Sequence, residues 1–156
     1  MKKITILLAV LILLSFASCG KSVEKVSAPQ TAQAWLDLLS GSLPFDDMMT
    51  QIPDRAPSLY GIADEDGYTG DSALYISTNA TPEEIAVFQI DAAFSAEALT
   101  ELAEARLARQ KESFAGYAPQ ETPKLDSAVV RVCGDFVIVC VCADNAKAET
   151  LLSVYA

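Results

Sequence analysis

Ala128-Val129-Val130-Arg131-Val132-Cys133-Gly134-Asp135-Phe136-Val137-Ile138-Val139-Cys140-Val141-Cys142 reads as two β-runs joined by a two-residue turn. β-Branched residues dominate both arms, and Gly134-Asp135 supplies the tight-turn chemistry. Alternation places Val130, Val132, Val137, Val139 and Val141 on one face, and Arg131, Cys133, Phe136, Ile138, Cys140 and Cys142 on the other. Both faces are largely apolar, so the hairpin is expected at the centre of a sheet that is covered on each side. A helix containing Trp35 is the economical cover for the second face, with a partner protein as the alternative.

Outward from this hairpin the pattern stays regular. Asn145 is placed to cap a final helix, Ala146–Tyr155. Upstream, Ser72–Thr78 and Ile85–Ile90 form another pair of β-runs, joined by the wide loop Asn79–Glu84. Ser95 caps a long helix to about Gly116, whose stripe Leu99, Leu102, Ala103, Leu107, Gln110, Phe114 follows helical spacing. Acidic Glu97, Glu101 and Glu104 precede basic Arg106, Arg109 and Lys111, which suits the helix dipole. Asp71-Ser72-Ala73 and Asp126-Ser127-Ala128 open the two blocks alike, which suggests a duplicated ββα unit with both helices on one face. Thr31 caps a helix to about Ser40, with Gly41 as its stop. Residues 43–57 hold three prolines and are expected as loop, with at most one helical turn at Asp46–Thr50, followed by a short strand or turn at Ser58–Ile62. The expected fold class is α+β: an antiparallel sheet of four to five strands with two to three helices.

The chain start carries a different signal. Lys2 and Lys3 precede an apolar run, Ile4–Leu14, of signal-peptide length and well short of a membrane span. Ala17-Ser18-Cys19 resembles the lipobox of bacterial lipoproteins, in which the cysteine is diacylglyceryl-modified and becomes the mature N-terminus. Phe16 departs from that pattern, since leucine is usual there, and an ordinary secretory cut beside an incidental Cys19 is the other reading. The expected organisation is a signal peptide at residues 1–18, a lipidated tether at 19–30 and one globular domain at 31–156.

Composition narrows the partners. Without residues 1–18, nine basic side chains face twenty-one acidic ones, a net charge of about −12. Such a chain is repelled by nucleic acid and by anionic lipid headgroups. The expected partners are the membrane, through the lipid on Cys19, and an envelope protein or wall component. Cys133, Cys140 and Cys142 are expected as small buried hydrophobes.

Catalytic motifs are sparse. Gly70-Asp71-Ser72-Ala73-Leu74 resembles the nucleophile block of GDSL-type hydrolases, but their serine needs a histidine base and this chain has no histidine. The acidic loop Asp64–Asp71 offers Asp64, Asp66 and Asp71 as a weak calcium set, against the plainer reading of a solvated loop. Asp46-Asp47 and Glu83-Glu84 are adjacent pairs, and the second is expected to charge a hairpin tip. No cofactor is implied.

Thr81-Pro82-Glu83-Glu84-Ile85-Ala86-Val87-Phe88 forms a recognisable set with Ser58-Leu59-Tyr60-Gly61, Gln110, Phe114–Pro119, Lys124-Leu125 and Gly134–Val137. The set resembles the domain-of-unknown-function lipoprotein family numbered four-three-five-eight, found mainly in Gram-positive anaerobes. The resemblance spans most of Thr31–Tyr155, implies attachment to the outer leaflet of the cytoplasmic membrane, and supplies no catalytic residue. Gln110 interrupts an apolar stripe, where an unbonded polar group is costly. Either it bonds a loop carbonyl and locks the Phe114–Pro119 turn, or Tyr60, Gln110 and Tyr117 line a groove for a peptide or glycan. The leading expectation is a non-catalytic binding or scaffolding lipoprotein of the envelope. The alternatives are a solute-capturing lipoprotein serving a transporter, or a histidine-independent hydrolase.

Overall fold

The structure is a computed structural model that describes residues 27–156. The expected signal peptide, Cys19 and the first part of the expected tether lie outside the described residues.

The Ala128–Cys142 hairpin forms as its pattern requires, with β4 at Val129–Cys133 and β5 at Phe136–Val141. Gly134 takes φ 59° at the first turn position, a conformation that glycine adopts without steric cost. The other strands are β1 (Thr50–Gln51), β2 (Ser72–Ile76) and β3 (Glu84–Gln89). They assemble into one antiparallel sheet in the order β1-β2-β3-β5-β4. β3 and β5 are central, and most of their side chains are buried on both faces.

Helices cover both faces. On one lie α1 (Ala32–Ser42) and α5 (Asn145–Leu152), where Trp35, Leu36, Leu39, Ala148 and Leu152 pack on Ile85, Val87, Phe136, Ile138 and Cys140. On the other lie α2 (Ala56–Tyr60) and α3 (Ala96–Tyr117), where Tyr60, Leu99 and Ala103 pack on Leu74, Ala86, Phe88, Val137 and Val139. A smaller cluster joins Phe114 of α3 and Leu125 of α4 (Thr122–Asp126) to Val141. The α+β class and the strand count agree with the sequence reading, and the Trp35 helix is the cover for the cysteine-bearing face.

The shared helix face does not hold. Each strand pair is followed by a helix, but α3 and α5 sit on opposite faces. In-plane rotation by 180° superposes β2-β3 on β4-β5 and leaves the two helices on opposite sides. The two ββα units therefore have opposite hand.

Local differences have local causes. Ser58–Tyr60 is helical rather than extended, because Pro57 starts the turn and Gly61, at φ 90°, closes it. Thr31 Oγ1 caps α1 at Ala34 N–H (3.1 Å), but the helix runs through Gly41 and stops only before Pro44. Residues Asp46–Thr50 make no helical turn, and Thr50 pairs with Ile76 instead. Asp144, not Asn145, caps α5, accepting from Lys147 N–H at 3.0 Å. Asn145 is buried instead, accepting from Cys142 N–H (2.8 Å) and donating to Lys124 O (2.8 Å) and Ser127 Oγ (3.0 Å).

Candidate functional site

The polar centre of the domain is at the start of β3. Glu83 and Glu84 follow the β2–β3 loop, where charge normally faces water, yet each is only 1% exposed. The sequence expectation of a charged hairpin tip is wrong for both. Buried carboxylates survive only when paired and hydrogen-bonded, and the two achieve this in different ways.

Glu84 points to the α2/α3 face. Arg106 of α3 grips it through two nitrogens, Nε donating to Oε1 at 2.7 Å and Nη2 to Oε2. Such two-point gripping is the strongest common form of carboxylate recognition. Tyr60 Oη donates to the same Oε1 at 2.5 Å, and Gln110 Nε2 reaches Oε2 at 3.3 Å. The guanidinium also lies 5.1 Å from the centre of the Tyr60 ring. Burial, reinforced by the Glu84 charge, pushes the Tyr60 hydroxyl well above its ordinary pKa. Burial opposes the Arg106 charge, but the bonds to Glu84 outweigh it and the guanidinium is held more firmly protonated than usual.

Glu83 fastens a different set of segments. Its carboxylate accepts from the backbone N–H of Asp46 (2.9 and 3.0 Å) and Asp47 (3.0 Å), and from Thr81 Oγ1 (3.0 Å). Lys124 Nζ of α4 donates to it at 3.3 Å and meets Asp46 Oδ2 at 2.7 Å. Glu121 Oε2 is 3.0 Å from the same ammonium, close enough for an ion pair but outside hydrogen-bond geometry. Burial works against the Lys124 charge, yet these carboxylates raise its pKa above the ordinary lysine range. Asp47 continues the chain of contacts to Thr78 Oγ1 (2.5 Å) and Thr78 N–H (3.0 Å), and those bonds lower its pKa.

The candidate groove residues separate. Tyr60 is buried at 1% exposure and Gln110 meets it at Glu84, but Tyr117 is 58% exposed and donates to Asn79 O at 3.0 Å on the hairpin tip. They line no common groove, and Gln110 bonds a carboxylate rather than a loop carbonyl. Its Oε1 stays buried without a partner.

The weak calcium set is dispersed as well. Asp71 Oδ2 accepts from Ala32 N–H (2.7 Å) at the start of α1, and Asp66 Oδ2 from Ala63 N–H (2.8 Å) within its own turn. Asp64 begins that turn, exposed. Among the described residues no three Cys, Asp or Glu side chains gather as a metal set. The carboxylate that organises this loop is Asp91, which the sequence reading missed. It accepts from the N–H groups of Thr69 (2.7 Å), Gly70 (3.1 Å), Ala93 (2.9 Å) and Phe94 (2.8 Å), and those bonds outweigh its slight burial to lower its pKa.

Ser72 simply opens β2 opposite Phe88. Cys133, Cys140 and Cys142 are free and buried. The neighbouring Cys142 thiol, together with burial, holds the Cys140 pKa well above its ordinary value, while the proximity of Cys140 lowers that of Cys142.

Residues 42–142 match the family model described as Domain of unknown function (DUF4358). The chain belongs to this family. The match contains both buried carboxylates and all of the partners named for them, whereas Asn145, α5 and all but the last residue of α1 lie outside it. No curated protein and no solved structure matches the chain.

Proposed function

We propose that this member of the family is a membrane-anchored extracytoplasmic lipoprotein, tethered by lipid on Cys19, whose domain binds or scaffolds another component of the envelope without catalysis. The anchor rests on the Lys2-Lys3, Ile4–Leu14 and Ala17-Ser18-Cys19 pattern. Two acyl chains at Cys19 hold a domain stably, because each buried methylene adds about 0.8 kcal/mol.

The observation that carries the non-catalytic reading is how Glu84 is used. Acid–base catalysis needs a carboxyl that reaches substrate and exchanges a proton with it. Here Glu84, which combines deep burial with a tyrosine, an arginine and a glutamine, has its oxygens committed to those side chains. Its partners come from α2 and α3, so its work is to clamp two helices to β3. The same holds for Glu83, which joins the Asp46-Asp47 segment to α4. A rigid body of this kind suits display of a surface.

The test is made in cells. Cys19→Ser stops lipid labelling and releases the domain from the membrane fraction, and labelling that survives the change defeats the anchor. In-cell crosslinking followed by mass spectrometry then recovers a reproducible envelope component from the anchored chain. Recovery of a permease instead would convert the reading to solute capture.

A further inference from the structure

The two edges of the sheet are built differently. At one edge β1 and the following chain cover β2, with Ile52 N–H bonding Leu74 O at 3.0 Å. At the other, β4 ends the sheet with nothing paired to its outer side among the described residues. The direction of its backbone groups follows from the register. Gly134-Asp135 is a two-residue turn, so the flanking pair Cys133 and Phe136 exchange bonds, as do Arg131 with Ile138 and Val129 with Cys140. Asp135 O accepts from Ile90 N–H at 2.8 Å, which confirms that odd-numbered residues of this arm face β3. Val130 and Val132 therefore aim their N–H and C=O groups away from the sheet.

Such an edge is normally guarded by a charge or a proline. β4 has no proline, and its one charge, Arg131, is drawn onto α5 by an ion pair with Glu149. Val132 is 41% exposed, one of four large apolar side chains so exposed among the described residues.

We infer that β4 is a self-association edge, where two copies of this chain pair antiparallel across a two-fold axis through Arg131 to give a continuous ten-stranded sheet. The centre of β4 is Arg131, so this axis gives full overlap of the two five-residue strands. It sets each outward-facing Val130 against the partner copy's Val132, a self-complementary valine pair made twice. The two arginines meet on the opposite face, each already neutralised by its own Glu149. An axis normal to the sheet also leaves both α1 helices on one side, as two chains anchored in one membrane require. That last point rests on the anchoring proposed above; the pairing does not.

The experiment uses the purified full chain in mild detergent. Directly opposed residues of a non-bonded antiparallel pair have Cα atoms about 4.5 Å apart, within disulfide range. Arg131→Cys is therefore expected to give a covalent dimer on mild oxidation, at least about tenfold more than Val154→Cys at another exposed site, with the unaltered chain as blank for its native thiols. Val132→Pro removes only an outward N–H, so it should abolish that crosslink and the sedimenting dimer while the domain still melts cooperatively. Val132→Lys makes the same test without a proline. Dimer formation should also strengthen as salt rises from about 20 to 300 mM, because each copy is strongly acidic and screening weakens their repulsion. The inference is overturned if Arg131→Cys crosslinks no better than Val154→Cys, or if the crosslink persists with both Val132 changes. It is equally overturned if the unaltered chain sediments as a monomer up to several hundred micromolar. Cys19→Ser leaves this result unchanged, so failure of the anchor and failure of the edge are separate outcomes.

Discussion

The two faces of one sheet are closed by opposite means. Beneath α1 and α5 the contacts are apolar: Trp35 is fully buried, edge-on to Phe136 and Tyr155, above Ile85, Ile138 and Leu152. Beneath α2 and α3 the packing centres on the buried Glu84–Arg106 ion pair, with Tyr60 and Gln110 around it. Apolar contact is tolerant of small shifts, whereas a two-point arginine grip accepts one arrangement. A β3 register shift by one residue would turn Glu84 into the apolar core under α1. The polar face therefore adds selectivity for one register to its own apolar contacts.

The largest test of that contrast is Arg106→Met. It strands a buried carboxylate and should cost about 3–5 kcal/mol, measured by denaturant unfolding. The triple change Glu84→Leu, Arg106→Met and Tyr60→Phe should recover most of that loss, because buried ion pairs are often replaced by apolar residues at little cost and no buried hydroxyl is then left without its acceptor. On the other face, Trp35→Ala should also cost about 3–5 kcal/mol, but no second change to a neighbouring residue should restore it. If Trp35→Ala is rescued as readily, the contrast between the faces fails.

Tyr60→Phe should cost less, about 1.5–3 kcal/mol at neutral pH, the range for a hydrogen bond to a charged group. Its pH dependence sharpens the comparison. The folded-state pKa of Tyr60 lies above its unfolded value, so its contribution is fully present below an unfolded pKa of about 10 and is lost as pH rises toward the folded value. Melting temperatures of the two proteins should therefore converge as pH rises beyond about 10. Convergence beginning near neutral pH would mean that the hydroxyl is not held by Glu84. The smallest effect belongs to Gln110→Leu, which removes an unpartnered buried oxygen together with a long 3.3 Å bond. A gain, or a loss below about 1 kcal/mol, is expected by the same unfolding measurement.

Elements whose signals are local were legible in the sequence. The Gly134-Asp135 hairpin, the Ser95 and Thr31 caps and the long α3 helix depend on residues within a few positions of one another. Glu83 and Glu84 were misread because their partners are distant: Arg106 lies 22 residues on from Glu84, and Lys124 lies 41 on from Glu83. One clue was present. Arg106 and Gln110 both fall on the apolar stripe between Ala103 and Phe114, four residues apart and so on one helix face. Two polar groups side by side on a buried stripe call for a buried acid, but the dipole reading of Arg106 hid it. Asp91 was illegible for a different reason, because it bonds backbone N–H groups, which carry no side-chain signature.

The opposite hand of the two ββα units bears on how such a chain can have arisen. Two identical half-length chains associate through a rotation, and rotation preserves hand. A primitive dimer of one ββα peptide, fused by gene duplication, would have left α3 and α5 on the same side of the sheet. Since they lie on opposite sides, the shared Asp-Ser-Ala strings do not mark two copies of one unit: Ser72 opens β2, whereas Asp126 ends α4 and β4 starts only at Val129. Exchanging one half for a copy of the other would crowd two such helices onto one layer of the sheet and leave the other to α1 or α2 alone.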